Sequence, residues 1–234
     1  QIPFLTSLNR SDTVFSNTHK RQVFSIMIDD FIKQGIINPE DIENILKIAQ
    51  SHGTKITFID ASYALPAAGE NVFENFKRER ITNAVFFDIE KISDTHSSLP
   101  HMLPDATIFS AAMSGLGIST NDLLIIYGQR GMIMGPPRVW WMMQGFGHDR
   151  VLVLNGGLPA WKAAGLATQT TTPHIPEKSR YTAPSFNPDL VVDLEQIKVN
   201  KRSIVKKMKF PKMYISNLKS NKRKKSKCNC KHFV

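Results

Sequence analysis

The stretch LLIIYGQRGMIMGPPRVWWMMQGF, Leu123–Phe146, decides the fold class. LLIIY (Leu123–Tyr127) is a near-continuous apolar run of the kind found in the middle of a parallel sheet, where both faces are covered. GQRGMIMG (Gly128–Gly135) comes next, with three glycines that permit tight turns and left-handed backbone angles. Pro136-Pro137-Arg138 then opens a helix, VWWMMQGF, with proline suited to the first turn. Strand, glycine loop and helix in that order form half of a parallel α/β unit.

The same alternation extends outward on both sides. Upstream, Pro39-Glu40-Asp41 opens a helical pattern in which Ile42, Ile45, Leu46 and Ala49 share one face, and Gly53 stops it. KITFID (Lys55–Asp60) reads as a short buried strand and NAVFFD (Asn83–Asp88) as a second. Pro104-Asp105 opens a helix with Ile108, Ala111, Ala112 and Met113 on its apolar side. Downstream, VLVLN (Val151–Asn155) is a further strand, and Leu158–Ala164 a short helix stopped by Gly165. The expected architecture is α/β: a parallel sheet with helices on both faces, in three layers.

Charge divides the chain differently. Residues 197–234 hold 14 of the 30 Lys and Arg and no acidic residue, which leaves 16 basic against 20 acidic residues in the body, a net charge of −4. The basic character therefore belongs to the tail, and NKRKKSK (Asn221–Lys227) is the one candidate for phosphate contacts. It lacks interleaved aromatic residues, so a solvated, disordered tail is expected over residues 200–234 and nucleic acid is not the expected partner. Residues 1–22 are polar and mixed, and loose packing is expected there. No run of 18 apolar residues suggests a membrane span, and no apolar signal segment stands near Gln1, so a cytoplasmic protein is expected.

The glycine loop is the candidate site, because ligands of parallel α/β sheets bind at the carboxyl ends of the strands. Gly128, Gln129, Arg130 and Gly131 form it, and Arg130 is its one cation. Such a loop can aim backbone N–H groups at an anion. It can equally be a plain strand-to-helix connection, and it lacks the Lys-Ser/Thr ending of a phosphate loop. His96, His101 and His148 lie near loops but beside no nucleophile, which favours structural roles. Asp60 and Asp88 end strands and suit loop capping. Cys228 and Cys230, even with His232, fall short of a four-ligand zinc set, and neither metal nor cofactor is expected.

Longer motifs carry a resemblance. FIDASYALP (Phe58–Pro66), AVFFDIEKISDTHSSLPHMLP (Ala84–Pro104) and PPRVWWMMQGFGHDRVLVLNGGLPAWKAAG (Pro136–Gly165) are similar to the first domain of the tandem rhodanese and 3-mercaptopyruvate sulfurtransferase family. The resemblance implies a rhodanese-like, non-catalytic domain over residues 23–180 and an inter-domain linker over 181–199. It implies a small sulfur-containing substrate for the full-length family, and a reactive cysteine carried by a second domain that packs on the first. Gly128 stands where the nucleophile would be in that second domain, so the loop is expected to be vestigial. Arg138, Trp140 and Trp141 are candidates for the inter-domain face. The resemblance stops near Val199, and a shifted frame or early stop is the expectation for the residues beyond it. A binding or regulatory module is the competing reading.

Overall fold

The structure, a computed structural model, describes residues 35–131 and 134–192. The expected N-terminal segment 1–22 and basic tail 200–234 lie outside the described residues, as do Cys228, Cys230 and His232.

The elements are β1 (Ile36–Ile37), α1 (Ile42–Ser51), β2 (Ile56–Asp60), α2 (Val72–Arg78), β3 (Arg80–Ile81), β4 (Val85–Phe86), α3 (Ala106–Gly115), β5 (Leu123–Tyr127), α4 (Gly135–Gly145), β6 (Val151–Leu154), α5 (Gly157–Ala163) and β7 (Thr168–Gln169); β1, α2, β3 and β7 are additions to the expected alternation. Five strands form one parallel sheet in the order β1-β6-β5-β2-β4, with β5 central. β2 runs beside β5 from Ile56–Leu123 to Asp60–Tyr127, so their carboxyl ends are level. β3 and β7 make a separate antiparallel pair.

β5 shows why LLIIY has no polar position. Leu124 and Ile126 join one core with Phe109 and Met113 of α3 and Val139, Met142 and Met143 of α4. Leu123, Ile125 and Tyr127 join the other with Ile42 and Ile45 of α1, Phe76 of α2 and Leu158 and Trp161 of α5. Alternate side chains point to opposite faces, and a helical layer covers each face. Each large apolar side chain removed from water here contributes about 1.5–3 kcal/mol.

Four local expectations need correction. The pattern at Pro39 begins as a 3-10 turn, Pro39–Asp41, and becomes α-helix only at Ile42. Leu46, expected on the apolar face of α1, is exposed, and Ile42, Ile45 and Ala49 carry the contact. In α3 the buried pair is Phe109 and Met113, one turn apart, while Ala111 is exposed. The strand expected over Asn83–Asp88 narrows to Val85–Phe86, because it lies at the sheet edge with β2 as its one partner. The two-residue β1 has no sequence signal of its own.

The chain beyond β7 does not leave the domain at residue 180. Tyr181 is buried against Phe109, and the backbone runs on over α3 and α4 to about Leu190. The segment expected as a linker from 181 is therefore, in its first ten residues, part of the packed body. Residues 193–199 lie outside the described residues.

Candidate functional site

The loops after β2, β4 and β5 meet at the carboxyl edge of the sheet. Asp60, the last residue of β2, is wholly buried. Its Oδ1 accepts from the Ser62 backbone N–H at 2.9 Å, and its Oδ2 accepts from Gln129 Nε2 at 2.7 Å. The same Gln129 amide donates to the Glu79 carbonyl at 2.9 Å, and the Gln129 backbone N–H donates to Ser62 Oγ at 2.8 Å. Burial pushes the Asp60 carboxyl above the usual carboxylate range, while bonds from Ser62, Gln129 and Tyr127 oppose that rise. Tyr127 beside it is driven well up, by burial first and by the Asp60 charge second.

These bonds determine what the loop can bind. Of the N–H groups expected to face an anion, that of Gln129 is taken by Ser62, and that of Gly131 donates to the Gly128 carbonyl at 3.3 Å. The Gly128 carbonyl also accepts from the Leu158 N–H at 3.0 Å, which ties the loop to the start of α5. A methyl group at position 128 would sit 2.5 Å from the Gly131 carbonyl oxygen. Gly131 itself holds a φ of +96°, open only to glycine at low cost. Among the described residues, the Gln129 and Gly131 N–H groups are thus satisfied within the domain.

Arg130, 78% exposed, pairs at 2.9 Å with the largely covered Glu70 carboxylate, so the arginine end of the pair is solvated. Arg138 Nη2 donates to the His101 carbonyl, and among the described residues no carboxylate pairs with it and its Nε has no partner. Burial lowers its pKa. Tyr63 and His101 bond through Oη and Nε2 at 2.9 Å with their rings edge to face, which joins the β2 and β4 loops. Trp140 is half-buried with its ring against Gly35 and its Nε1 unpartnered. Trp141 packs on Phe186 and donates to the Leu190 carbonyl at 3.2 Å. Both tryptophans thus touch this chain's own segments. His96 is exposed, and His148 is buried far from the loop's carboxylate. Asp88 Oδ1 accepts from the Glu90 and Lys91 N–H groups, and so caps the turn after β4.

The sequence pattern did not disclose the Gln129–Asp60 bond, the Tyr63–His101 pair or the buried Arg80, whose guanidinium donates to the Lys77 and Thr171 carbonyls. An acid closing an apolar strand beside a glutamine two places after the next strand was the available signal. Among the described residues no group of three or more metal-binding side chains occurs, and no cysteine.

A central parallel sheet with a glycine loop at its carboxyl edge defines an α/β domain of the rhodanese type. The chain belongs to the Rhodanese-like domain family, which it matches over residues 40–164. It is 39% identical over 144 residues to the 3-mercaptopyruvate sulfurtransferase of Escherichia coli (strain K12), which covers 61% of this chain and 50% of that protein. It is 41% identical over 116 residues to the mitochondrial thiosulfate/3-mercaptopyruvate sulfurtransferase 1 of Arabidopsis thaliana, 50% of this chain and 30% of that one. Among solved structures, SseA from Escherichia coli, a 3-mercaptopyruvate sulfurtransferase of rhodanese fold, superposes with a TM-score of 0.62 at 32% identity, over 71% of this chain and 61% of that one. The chain spans at most about half the length of these curated relatives. Among the described residues no helix is long and apolar enough to cross a membrane.

Proposed function

We propose that this domain is the non-catalytic member of a two-domain sulfurtransferase. The reaction proposed for the whole unit carries sulfane sulfur from thiosulfate or 3-mercaptopyruvate to cyanide or a thiol. It needs a thiolate seated in a strand-end loop, which attacks the donor sulfur and holds it as a persulfide. The observation that carries the reading is at Gly128. The place of a side chain there is taken by the Gly131 carbonyl, and the Gln129 and Gly131 N–H groups are already bonded. A thiolate at this position would find no room, and the Gln129 and Gly131 N–H groups would not be free to face it.

The partner surface in this reading is the carboxyl edge itself. Leu65, Leu99, Met102 and Met134 are exposed on the loops after β2, β4 and β5, around the Tyr63–His101 pair. Apolar groups gathered on one edge suit a second domain. The same surface is what favours the second reading, a binding module without chemistry. The proposal includes a cytoplasmic location, supported by a cysteine content too low for a disulfide framework.

The test is a sulfurtransferase assay on the purified 234-residue protein. With thiosulfate and cyanide no thiocyanate is expected, and with 3-mercaptopyruvate no pyruvate. Turnover that survives replacement of Cys228 and Cys230 by serine overturns the assignment. A cysteine-bearing second domain from a relative, added in trans, is expected to bind at the carboxyl edge.

A further inference from the structure

We propose that residues 176–190 form a proton-operated latch, a strap across α3 and α4 that the buried His148–Tyr181 contact holds shut and that proton uptake by His148 releases. The inference is independent of the sulfurtransferase reading.

The strap is built by matched spacings. Ser110 and Ser114 stand one turn apart on α3, a rise of about 6 Å. Two residues of extended chain advance about 6.6 Å. The Tyr181 N–H therefore reaches Ser114 Oγ at 3.1 Å and the Ala183 N–H reaches Ser110 Oγ at 2.9 Å. Ser179 N–H donates to the Ser114 carbonyl at 3.0 Å, and its hydroxyl to the Ile118 carbonyl. Ser179, Tyr181 and Ala183 face inward while Arg180 and Thr182 are exposed. Three glycines give the strap its seats: Pro176 lies on Gly117, Pro184 on Gly147, and the Phe186 ring on Gly145. Side-chain hydroxyls and bare glycines hold this segment, where a β-strand would have a neighbour's backbone ladder.

His148 is 2% exposed and Tyr181 6%, with their rings stacked at 5.9 Å. His148 Nε2 is 3.0 Å from the Asp122 carbonyl, which can only accept, so Nε2 carries the proton. Nδ1 then accepts from the Tyr181 hydroxyl at 3.1 Å. A second proton on the ring makes Nδ1 a donor, and the Tyr181 hydrogen must turn away with no other described group to receive it. Burial lowers the His148 pKa accordingly. The Asp122 carbonyl and the charges around the ring offset part of that burial penalty but do not overcome it. Asp122 is engaged by Lys55 at 3.3 Å, Ser119 N–H at 3.1 Å and Thr57 Oγ1 at 3.4 Å. The Asp122 and Asp149 charges favour the charged ring and Arg150 opposes it. The strap faces His148 with the Tyr181 phenol, and Glu177, Lys178 and Arg180 are exposed.

An imidazole whose pKa is depressed when closed and ordinary when open binds more protons open. The open population therefore grows as pH falls below about 6.5, by at most about tenfold at pH 5.5, and levels off below the closed-state pKa. Hydrogen exchange on the full chain, corrected for intrinsic rates, reads this directly. Opening at the Tyr181 and Ala183 amides is expected to rise between pH 7.5 and 5.5, by up to about tenfold, while Ile125 and Val153 hold constant. His148→Gln is expected to abolish the rise. If that variant fails to fold, NMR titration of the native His148 ring against the Tyr181 amide gives the same answer, as the two must move together. Strap opening that ignores pH, core amides that open in step, or a rise that persists in the variant each overturn the proposal.

Discussion

Gln129 Nε2 lies 2.7 Å from Asp60 Oδ2, so the loop after the central strand is fastened to the last residue of its neighbour. Its acceptor is wholly buried and its donor half-buried, and it acts with the Ser62 hydroxyl on the Gln129 backbone to shape the carboxyl edge. Replacing Asp60 by asparagine keeps the volume but forces at least one amide hydrogen against another donor. The expected loss is about 1–3 kcal/mol in urea unfolding.

The same substitution changes the acid limb of stability. Burial raises the folded pKa of Asp60 above its unfolded value. A carboxyl raised in this way contributes fully below about pH 3.9 and loses that contribution as pH climbs through the raised value. Unfolding free energy measured from pH 3 upward should carry this falling term in the native protein and lack it in Asp60→Asn.

Gly128→Cys tests the seat directly. The new Cβ meets the Gly131 carbonyl oxygen at 2.5 Å, so the loop must shift, at a cost of about 1–3 kcal/mol. A thermal melt should fall accordingly, and no thiocyanate should form from thiosulfate and cyanide. A stable variant that turns over would show that a side chain alone was wanting.

Gly145→Ala reports on the strap without touching a titrating group. Its methyl would collide with the Phe186 ring, which sits on the bare backbone of α4. Displacement of Phe186 uncovers Trp141 and costs the apolar burial of one aromatic ring, about 2 kcal/mol. A red-shifted tryptophan emission with a lowered denaturant midpoint is the expected pair of results.

Arg130→Ala should do little. Its pairing with Glu70 is at the surface and 78% of the side chain is exposed, so the stability should move by less than about 0.5 kcal/mol. A larger loss would mean that the covered Glu70 carboxylate depends on Arg130 for its charge partner.

The alternation of apolar runs and glycine stops was enough to read the parallel three-layer fold, since side-chain period and turn chemistry are local properties. LLIIY announced the central strand because a strand covered on both faces has no polar position. The glycine loop was legible as a place, and Gly128 as a position without a nucleophile. What the loop's polar groups do was decided only in three dimensions, since Gln129 meets Asp60 and Glu79 across long chain separations. The strap was invisible for the same reason: its partners are serines and glycines on two other helices, and nothing in residues 176–190 repeats or alternates strongly enough to reveal them. Local pattern comes from the backbone's own periods, whereas a hydrogen bond between distant residues exists only once packing has set their distance.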